Sequence, residues 1–227
     1  MAEAPRRIWV TRARPGADRT ADRLTALGFQ PLVAPLLEVR ALDVAAPDLD
    51  GIAALAFTSA NAVAAFAALT PRRDRPVFAV GDATAEAARA AGFAIVTSAG
   101  GDVVDLGRLL EARAPGPVLH PRARVPAADL APLSGSVPVS ALDVYETVET
   151  GAPAPEAFDA VLLHSPRAAS ALAAALAPEA ARDRLAVALS PAVAAPLSTL
   201  PFAGVRVAAM PNEAALLEAL GKARPGL

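Results

Sequence analysis

The sequence contains no cysteine. This absence excludes a disulfide framework, thiolate catalysis and cysteine-ligated metal. Aromatic residues are also scarce, at 4%, although hydrophobic residues make up 54% of the chain. The core must therefore be built mainly from alanine, valine and leucine. A chain of 227 residues is long enough for one large domain or two small ones.

The charge balance does not favour a nucleic-acid partner, because the formal net charge is −2. Lys222 is the only lysine among 21 basic residues. Arginine binds carboxylate and phosphate through a planar fork, so the bias is compatible with an anionic ligand. Codon bias in a GC-rich genome is the favoured explanation, and the abundance of alanine, glycine and proline supports it.

Long apolar runs of the membrane-spanning kind are also missing. Two uncharged stretches, 51–71 and 185–205, reach the necessary length of about 20 residues. The first carries polar residues at its centre, the second is interrupted by prolines, and both are rich in alanine. We therefore expect no membrane association. The N-terminus has no apolar signal segment behind it, which predicts a cytoplasmic protein.

Several motifs of cofactor and catalytic sites are absent. The sequence has no phosphate loop, no glycine-rich dinucleotide motif after a strand, and no legible Ser-His-Asp arrangement. His120 and His164 each end a predicted strand, but no carboxylate is spaced to complete a metal site with them. The sequence therefore predicts neither a metal nor any other cofactor.

The stretch 55–63 has the pattern around which the rest of the chain is organised. Its apolar run stops at Thr58-Ser59 and then becomes an alanine-rich helical pattern. The pattern returns at 161–169, where Ser165 takes the place of Ser59. Each copy predicts a buried strand, a hydroxyl residue and a helix start, which is the edge of an open α/β sheet where ligands bind. The alternative is that both serines only cap helices.

Short apolar runs alternate with helical patterns along the whole chain, which predicts parallel α/β sheets. The predicted strands are 8–10, 30–34, 52–57, 77–80, 94–97, 118–120, 137–139, 160–163, 185–189 and 205–208. The predicted helices are 17–27, 60–69, 84–91, 104–112, a short one near 127–133, 168–176, one that ends near residue 200, and 213–220. Two extended stretches, 36–42 and 142–148, separate groups of strands.

The two halves of the chain repeat one another. Arg12 aligns with Arg122, and 57–59 aligns with 163–165. Each half reads as two strands, an extended connector and three strands. If the connectors cross between domains, each domain combines pieces of both halves. The alternative is two sequential domains that divide near residue 115.

The crossed arrangement predicts two flavodoxin-like parallel-sheet domains joined by a two-stranded β connector. The first domain is discontinuous. The predicted boundaries are 1–36 with 150–227 for domain one, 42–141 for domain two, and 37–41 with 142–149 for the connectors.

The chain resembles the uroporphyrinogen-III synthase family over nearly its whole length. The resemblance rests on the order and spacing of several motifs, each weak alone. They are Val10-Thr-Arg12, Phe57-Thr-Ser-Ala-Asn-Ala-Val63, Val80-Gly-Asp-Ala-Thr-Ala85, Val144-Tyr-Glu-Thr147 and Ser165-Pro166. The fold that it implies, two α/β domains with two β connectors, agrees with the crossed arrangement.

The resemblance implies a cyclising lyase that converts linear hydroxymethylbilane into uroporphyrinogen III. The enzyme would eliminate the terminal hydroxyl as water and invert the last pyrrole ring through a spiro intermediate. The resemblance further implies a monomer that needs no cofactor. Its expected partners are this substrate and, as a further candidate, the preceding enzyme of the pathway.

The resemblance also implies the site residues. Tyr145 is the expected proton donor to the leaving hydroxyl, with a packing role as the alternative. The expected substrate-binding residues are Thr11, Arg12, Ser59, Ala60, Asn61, Gly81, Thr84, Arg122, Ser165 and Ser190. Each arginine has the alternative role of a solvated surface charge, and Asn61 that of a helix cap. The second half departs from the family pattern, because Ser190 and Val193 stand where glycine and threonine are usual.

Two other functions remain open from the residues. A two-domain protein that clamps a small anion without turnover would share crossed domains and hinge closure. A two-domain glycosyltransferase would need a nucleotide site, and no motif for one is visible in the sequence.

Overall fold

The computed structural model describes residues 6–222 of the chain. The strands are β1 Arg7–Val10, β2 Gln30–Val33, β3 Leu37–Ala41, β4 Ala54–Phe57, β5 Val77–Ala79, β6 Val96–Ser98, β7 Val118–Ala123, β8 Val139–Glu149, β9 Ala160–Leu163, β10 Leu185–Ala188 and β11 Gly204–Val207. The α-helices are α1 Gly16–Ala26, α2 Ala60–Leu69, α3 Asp82–Ala90, α4 Val103–Arg113, α5 Pro166–Ala175, α6 Pro178–Ala181, α7 Pro191–Ala194 and α8 Glu213–Leu220. Two 3₁₀ turns cover Ala131–Leu133 and Ala195–Thr199.

The chain divides into two compact units. Unit 1 comprises Met1–Glu38 with Val148–Leu227, and unit 2 comprises Val39–Thr147. The chain passes from one unit to the other inside β3 and again inside β8.

Unit 1 contains a five-stranded sheet in the order β2-β1-β9-β10-β11, and its strands are all parallel. This is the flavodoxin-like order. The first strand lies inside the sheet, and the order in which the strands are added reverses beside it. The α/β class and the two parallel sheets that the sequence predicted are thus confirmed.

Alternation of side chains along β1 builds two cores in unit 1, one on each face of the sheet. Trp9 packs on one face, whereas Ile8 and Val10 pack on the other. The ring of Trp9 meets Phe158 edge to face with 5.1 Å between centroids. Its indole N–H donates a 2.7 Å hydrogen bond to the carbonyl of Ala34. The one tryptophan of this aromatic-poor chain therefore fills the space that small aliphatic residues leave.

Unit 2 repeats the same design from other parts of the chain. Its sheet has the order β3-β8-β7-β4-β5-β6, and the run from β8 to β6 is parallel. Strand β4 is buried on both faces, with Leu55 and Phe57 in one core and Ala54 and Ala56 in the other. Helices therefore cover both faces of the sheet, and the carboxyl ends of its strands are the edge left to loops.

Side-chain caps mark the beginnings of four helices. Ser59 accepts a hydrogen bond from the amide of Ala62, and Ser165 from the amide of Ala168. Asp102 and Asn212 cap α4 and α8 in the same manner. In a βα unit the helix begins where the strand ends, so these polar residues lie at the carboxyl edges of the two sheets.

Several details of the predicted secondary structure were wrong, and helix α6, Pro178–Ala181, was not predicted. Val139, the last residue of the predicted strand 137–139, lies with the predicted connector 142–148 in one continuous strand, β8. The region 127–133 holds only the 3₁₀ turn Ala131–Leu133, because proline at residue 132 supplies no amide hydrogen to continue a helix. The predicted helix that ends near residue 200 is divided for the same reason, since α7 gives way to a 3₁₀ turn at Pro196.

In the part of the chain that the structure describes, residues 6–222, helices long and apolar enough to cross a bilayer are absent.

Candidate functional site

The hydroxyl groups of Ser59 and Tyr145 meet in unit 2. Ser59 lies at the start of α2, immediately after β4, and Tyr145 lies in β8. Their oxygens are 3.0 Å apart, and either atom can be the donor. Ser59 Oγ also accepts the amide hydrogen of Ala62, so one group both caps the helix and contacts the phenol.

An irregularity in β8 directs Tyr145 to this position. The pairing of β7 with β8 shifts between Arg122 and Ala123, so that Ala123 pairs with Tyr145. In a regular strand Val144 and Tyr145 would point to opposite faces. Here both join the same core as Phe57. A bulge of this kind re-aims a side chain at the edge of a sheet.

A cavity of about 340 Å³ opens beside this pair. Its polar lining consists of Thr58, Ser59, Tyr145 and Thr147. The remaining lining residues are Val80, Val103, Ala123, Val125, Pro126, Ala127 and Ala128. The cavity thus presents hydroxyl groups on an otherwise apolar wall, which suits a ligand held by a few directed hydrogen bonds.

His120 supports this wall from inside unit 2. Its Nε2 atom is 3.2 Å from the hydroxyl of Thr58, and its side chain is 1% exposed. Burial, together with the positive charge of Arg122, lowers the pKa of His120 to about 4. The imidazole is therefore neutral near pH 7 and has a single N–H group.

Arg122, one of the two predicted carboxylate-binding arginines, is paired within unit 2. Its Nε donates a 3.0 Å hydrogen bond to Asp143, and its Nη1 lies 3.5 Å from Asp129. The guanidinium is therefore partly neutralised before any ligand arrives.

The other predicted residues of unit 2 lie at the starts of two helices. Ala60 and Asn61 open α2, whereas Gly81 precedes α3 in an extended conformation. Thr84 is in the first turn of α3 and is buried. The equivalent residue of unit 1, Val193, packs in a hydrophobic core. Thr84 and Val193 are thus both buried. Valine in place of the usual threonine therefore removes no contact with solvent in unit 1.

A network centred on Glu213 occupies the corresponding edge of unit 1. One carboxylate oxygen of Glu213 accepts hydrogen bonds from Arg12, at 3.1 Å, and from His164 Nε2, at 3.0 Å. The other oxygen accepts from Thr20, at 2.6 Å. Burial alone would raise the pKa of Glu213, but the bonds from His164 and Thr20 and the positive charges outweigh it and lower the pKa to about 2.

The remaining predicted residues of unit 1 are placed as follows. Thr11 is buried and donates a 2.7 Å hydrogen bond to the carbonyl of Leu162, so its donor is used inside the sheet. Ser165 caps α5, as described above. Ser190 precedes the short helix α7 without a side-chain cap bond.

Of the predicted residues, Ser59 and Tyr145 are directly hydrogen-bonded to one another. The sequence prediction missed Thr58, Thr20 and Glu213, and it considered the two histidines only as metal ligands. The sequence contained one signal for a site role of such residues, which is their position. Thr58, His120 and His164 all lie at the ends of predicted strands.

Residues 6–222 hold no cluster of three or more His, Cys, Asp or Glu side chains suited to a metal ion. The two histidines belong to different units, and each is engaged through Nε2 with a neighbour in its own unit.

A larger cavity of about 1360 Å³ lies at the opposite, amino edge of the unit 1 sheet and is lined by several arginines. Most of these have structural partners. Arg7 pairs with Asp159, Arg184 stacks 4.0 Å over Phe158, and Arg206 caps the last carbonyls of α8. Because these three arginines hold the fold, we place the candidate site at the hydroxyl-lined cavity of unit 2.

The fold and this edge define a doubly wound α/β protein with a candidate ligand site at the carboxyl ends of its parallel strands. Residues 18–218 match the family described as Uroporphyrinogen-III synthase HemD. The chain therefore belongs to the uroporphyrinogen-III synthase family, whose members are cyclising lyases of tetrapyrrole biosynthesis.

Solved structures support the fold. The chain is similar to the uroporphyrinogen-III synthetase of Helicobacter pylori 26695, with 20% identity, a TM-score of 0.65, and coverage of 94% of this chain and 97% of that one. It is also similar to a mutant uroporphyrinogen III synthase of Thermus thermophilus, with 18% identity, a TM-score of 0.51, and coverage of 94% and 96%. No curated protein matches the sequence.

Proposed function

We propose that this enzyme converts linear hydroxymethylbilane into uroporphyrinogen III, with loss of water and inversion of the last pyrrole ring. Family membership supports the reaction. The observation that carries the proposal within this chain is the 3.0 Å contact between Ser59 and Tyr145 at the wall of a cavity.

The first chemical step needs a proton for the departing hydroxyl group. A phenol O–H can donate one, and Tyr145 is the only tyrosine in the chain. In this role Ser59 donates its own hydrogen to the phenol oxygen, which leaves the phenol O–H free to point at the leaving group. The C–O bond then breaks, water departs, and the electron-rich pyrrole carries the positive charge. The proton that ring closure later releases restores the phenol.

The later steps depend on orientation more than on a reactive side chain. The last pyrrole must attack the azafulvene formed by loss of water through its substituted carbon, because attack through its free carbon gives the wrong isomer. Holding two reacting groups in the correct geometry can supply several kcal/mol of a barrier. We propose that the amide groups at the starts of α2 and α3 hold carboxylate arms of the substrate during this closure.

The test is to supply freshly generated hydroxymethylbilane and separate the type I and type III products. We expect type III with the enzyme, with and without a metal chelator, and type I in the control without enzyme. Product that stays type I at high enzyme concentration would contradict the proposal. Tight binding of the substrate without turnover would instead favour the anion-binding alternative.

A further inference from the structure

His120 and Thr58 form a pair that the proposed chemistry does not yet use. His120 lies in β7 and Thr58 follows β4, and these two strands are neighbours in the unit 2 sheet. The imidazole is buried, with Nε2 3.2 Å from the Thr58 hydroxyl. Its Nδ1 atom is also buried and has no hydrogen-bond partner among the described residues.

This asymmetry identifies the tautomer. A neutral imidazole carries one hydrogen, on Nδ1 or on Nε2. A hydrogen on Nδ1 would leave a buried N–H group without an acceptor, and orphaned buried N–H groups are rare in proteins. A hydrogen on Nε2 leaves only an unused lone pair at Nδ1. The geometry therefore favours an Nε2–H group that donates to Thr58.

The tautomer decides what Thr58 offers to the cavity. A threonine hydroxyl has one hydrogen and two lone pairs. When Nε2–H of His120 occupies a lone pair, the hydroxyl hydrogen remains for another acceptor. Thr58 lines the same cavity as Ser59 and Tyr145. Its hydrogen is thus available beside the phenol, where the ligand would lie.

We propose that His120 is a positioning residue, which donates to Thr58 and so presents the Thr58 hydroxyl hydrogen to a carboxylate oxygen of the substrate. The inference rests on the proposed function, since it assigns a contact within the same cavity. The charge of Arg122 is compensated by its pairing with Asp143. Hydroxyl groups therefore remain as the donors at the cavity wall, which agrees with this role. Tyr145 then serves the leaving group and Thr58 a carboxylate arm.

The tautomer can be measured without activity. The chain has two histidines, so a ¹⁵N-histidine sample gives two imidazole patterns, which the His164→Gln variant assigns. We expect His120 to show the pattern of a neutral Nε2–H ring at pH 7. A neutral Nδ1–H ring or a charged ring would overturn the proposal.

The functional arm uses a double-mutant cycle. Thr58→Val should raise KM about tenfold, as expected for the loss of one hydrogen bond to a charged group, with a smaller effect on kcat. His120→Leu should raise KM similarly in the wild-type background and add little in the Thr58→Val background. His120→Gln, which can place an amide N–H near the position of Nε2, should restore most of the affinity.

The matched control is Thr70→Val, which removes a buried hydroxyl of the same unit that does not line the cavity. It should leave KM unchanged. Unchanged KM in Thr58→Val, or fully additive effects of the two substitutions, would contradict the positioning role. Failure of the proposed function is distinct, because the wild-type enzyme would then yield no type III product.

Discussion

The oxygens of Ser59 and Tyr145 lie 3.0 Å apart although the residues are separated by 86 positions in the sequence. Ser59 is held by the first turn of α2, and Tyr145 is turned towards it by the bulge in β8. A helix start and a bulged strand therefore fix both partners of the contact, so the phenol can be tested by changing one atom.

Tyr145→Phe should lower kcat about tenfold and leave the melting temperature nearly unchanged. The variant keeps the buried ring and removes only the hydroxyl. General-acid assistance is typically worth about 10²–10⁴-fold, and an electron-rich pyrrole places this reaction below that range. The measurements are the initial rate of type III formation and a thermal melt.

The control for this prediction separates chemistry from helix capping. Ser59→Ala should lower kcat and also cost about 1 kcal/mol of stability, because it removes the cap of α2. Asn212→Ala removes the equivalent cap of α8 and should lower stability alone. Turnover near the wild-type rate in Tyr145→Phe would show that the tyrosine only packs.

Arg12→Ala and Arg122→Ala should raise KM more than they lower kcat. Positive charge at a site attracts a polycarboxylate substrate, and salt weakens the attraction. Arg122 is paired with two carboxylates and Arg12 with one, so the effect should be smaller for Arg122. Steady-state kinetics at low and high salt test this. Arg108→Ala, at an exposed position of α4, is the control, and an unchanged KM in both variants would identify ordinary surface charges.

Glu213→Gln should destabilise the protein at neutral pH but not in acid. The folded pKa of Glu213, about 2, is below its ordinary value of 4.5, so its ionised form is stabilised by folding. That stability is fully present above about pH 5 and is lost as the pH falls from 4.5 towards 2. Allowing for solvent screening, we expect a difference of about 1–3 kcal/mol at pH 7.

The measurement for Glu213 is urea unfolding of wild type and variant at several pH values between 7 and 2. Glu218→Gln, at an exposed position of the same helix, is the control and should show a much smaller difference. A gap between wild type and Glu213→Gln that stays constant with pH would refute the electrostatic explanation.

Gly107→Ala should destabilise unit 2 by about 1–2 kcal/mol, although alanine is the better helix former by about 1 kcal/mol. An added Cβ would lie 2.8 Å from the carbonyl carbon of Leu133 and closer still to its oxygen. Backbone cannot rotate away as a side chain can, so α4 or the turn Ala131–Leu133 must move. Denaturant unfolding measures the loss. Ala112→Gly, at an exposed position of α4, reports propensity alone, and a Gly107→Ala variant as stable as wild type would contradict the steric argument.

Much of the fold could be predicted because local pattern and tertiary structure agree. The bounds of α2, β9 and α8 match the prediction, since each has a clear apolar pattern and a polar residue at its boundary. Prediction was wrong where a proline interrupts a helical pattern, as at Pro196, and where a strand continues past an apparent break, as in β8.

The site was less accessible to sequence reasoning. Ser59 and Tyr145 were both predicted as site residues. Their contact depends on the bulge beside Ala123, which no local sequence pattern predicts. The pairing of Thr58 with His120 requires the neighbouring positions of β4 and β7, and the role of Glu213 requires contact with a residue 201 positions away. Such relationships come from strand order rather than from spacing along the chain.

The strand order of unit 1 also sets the sequence of events on the ribosome. Strand β1 lies between β2 and β9, and β9 is made only after all of unit 2 has been synthesised. Domains generally fold as units in the order of synthesis. Strands β1 and β2 are made first, and β1 keeps an unpaired edge while unit 2 can already fold. An unpaired strand edge can pair with the wrong strand. Nascent chains that stop before β9 should therefore contain a folded unit 2 and an open, aggregation-prone N-terminal segment.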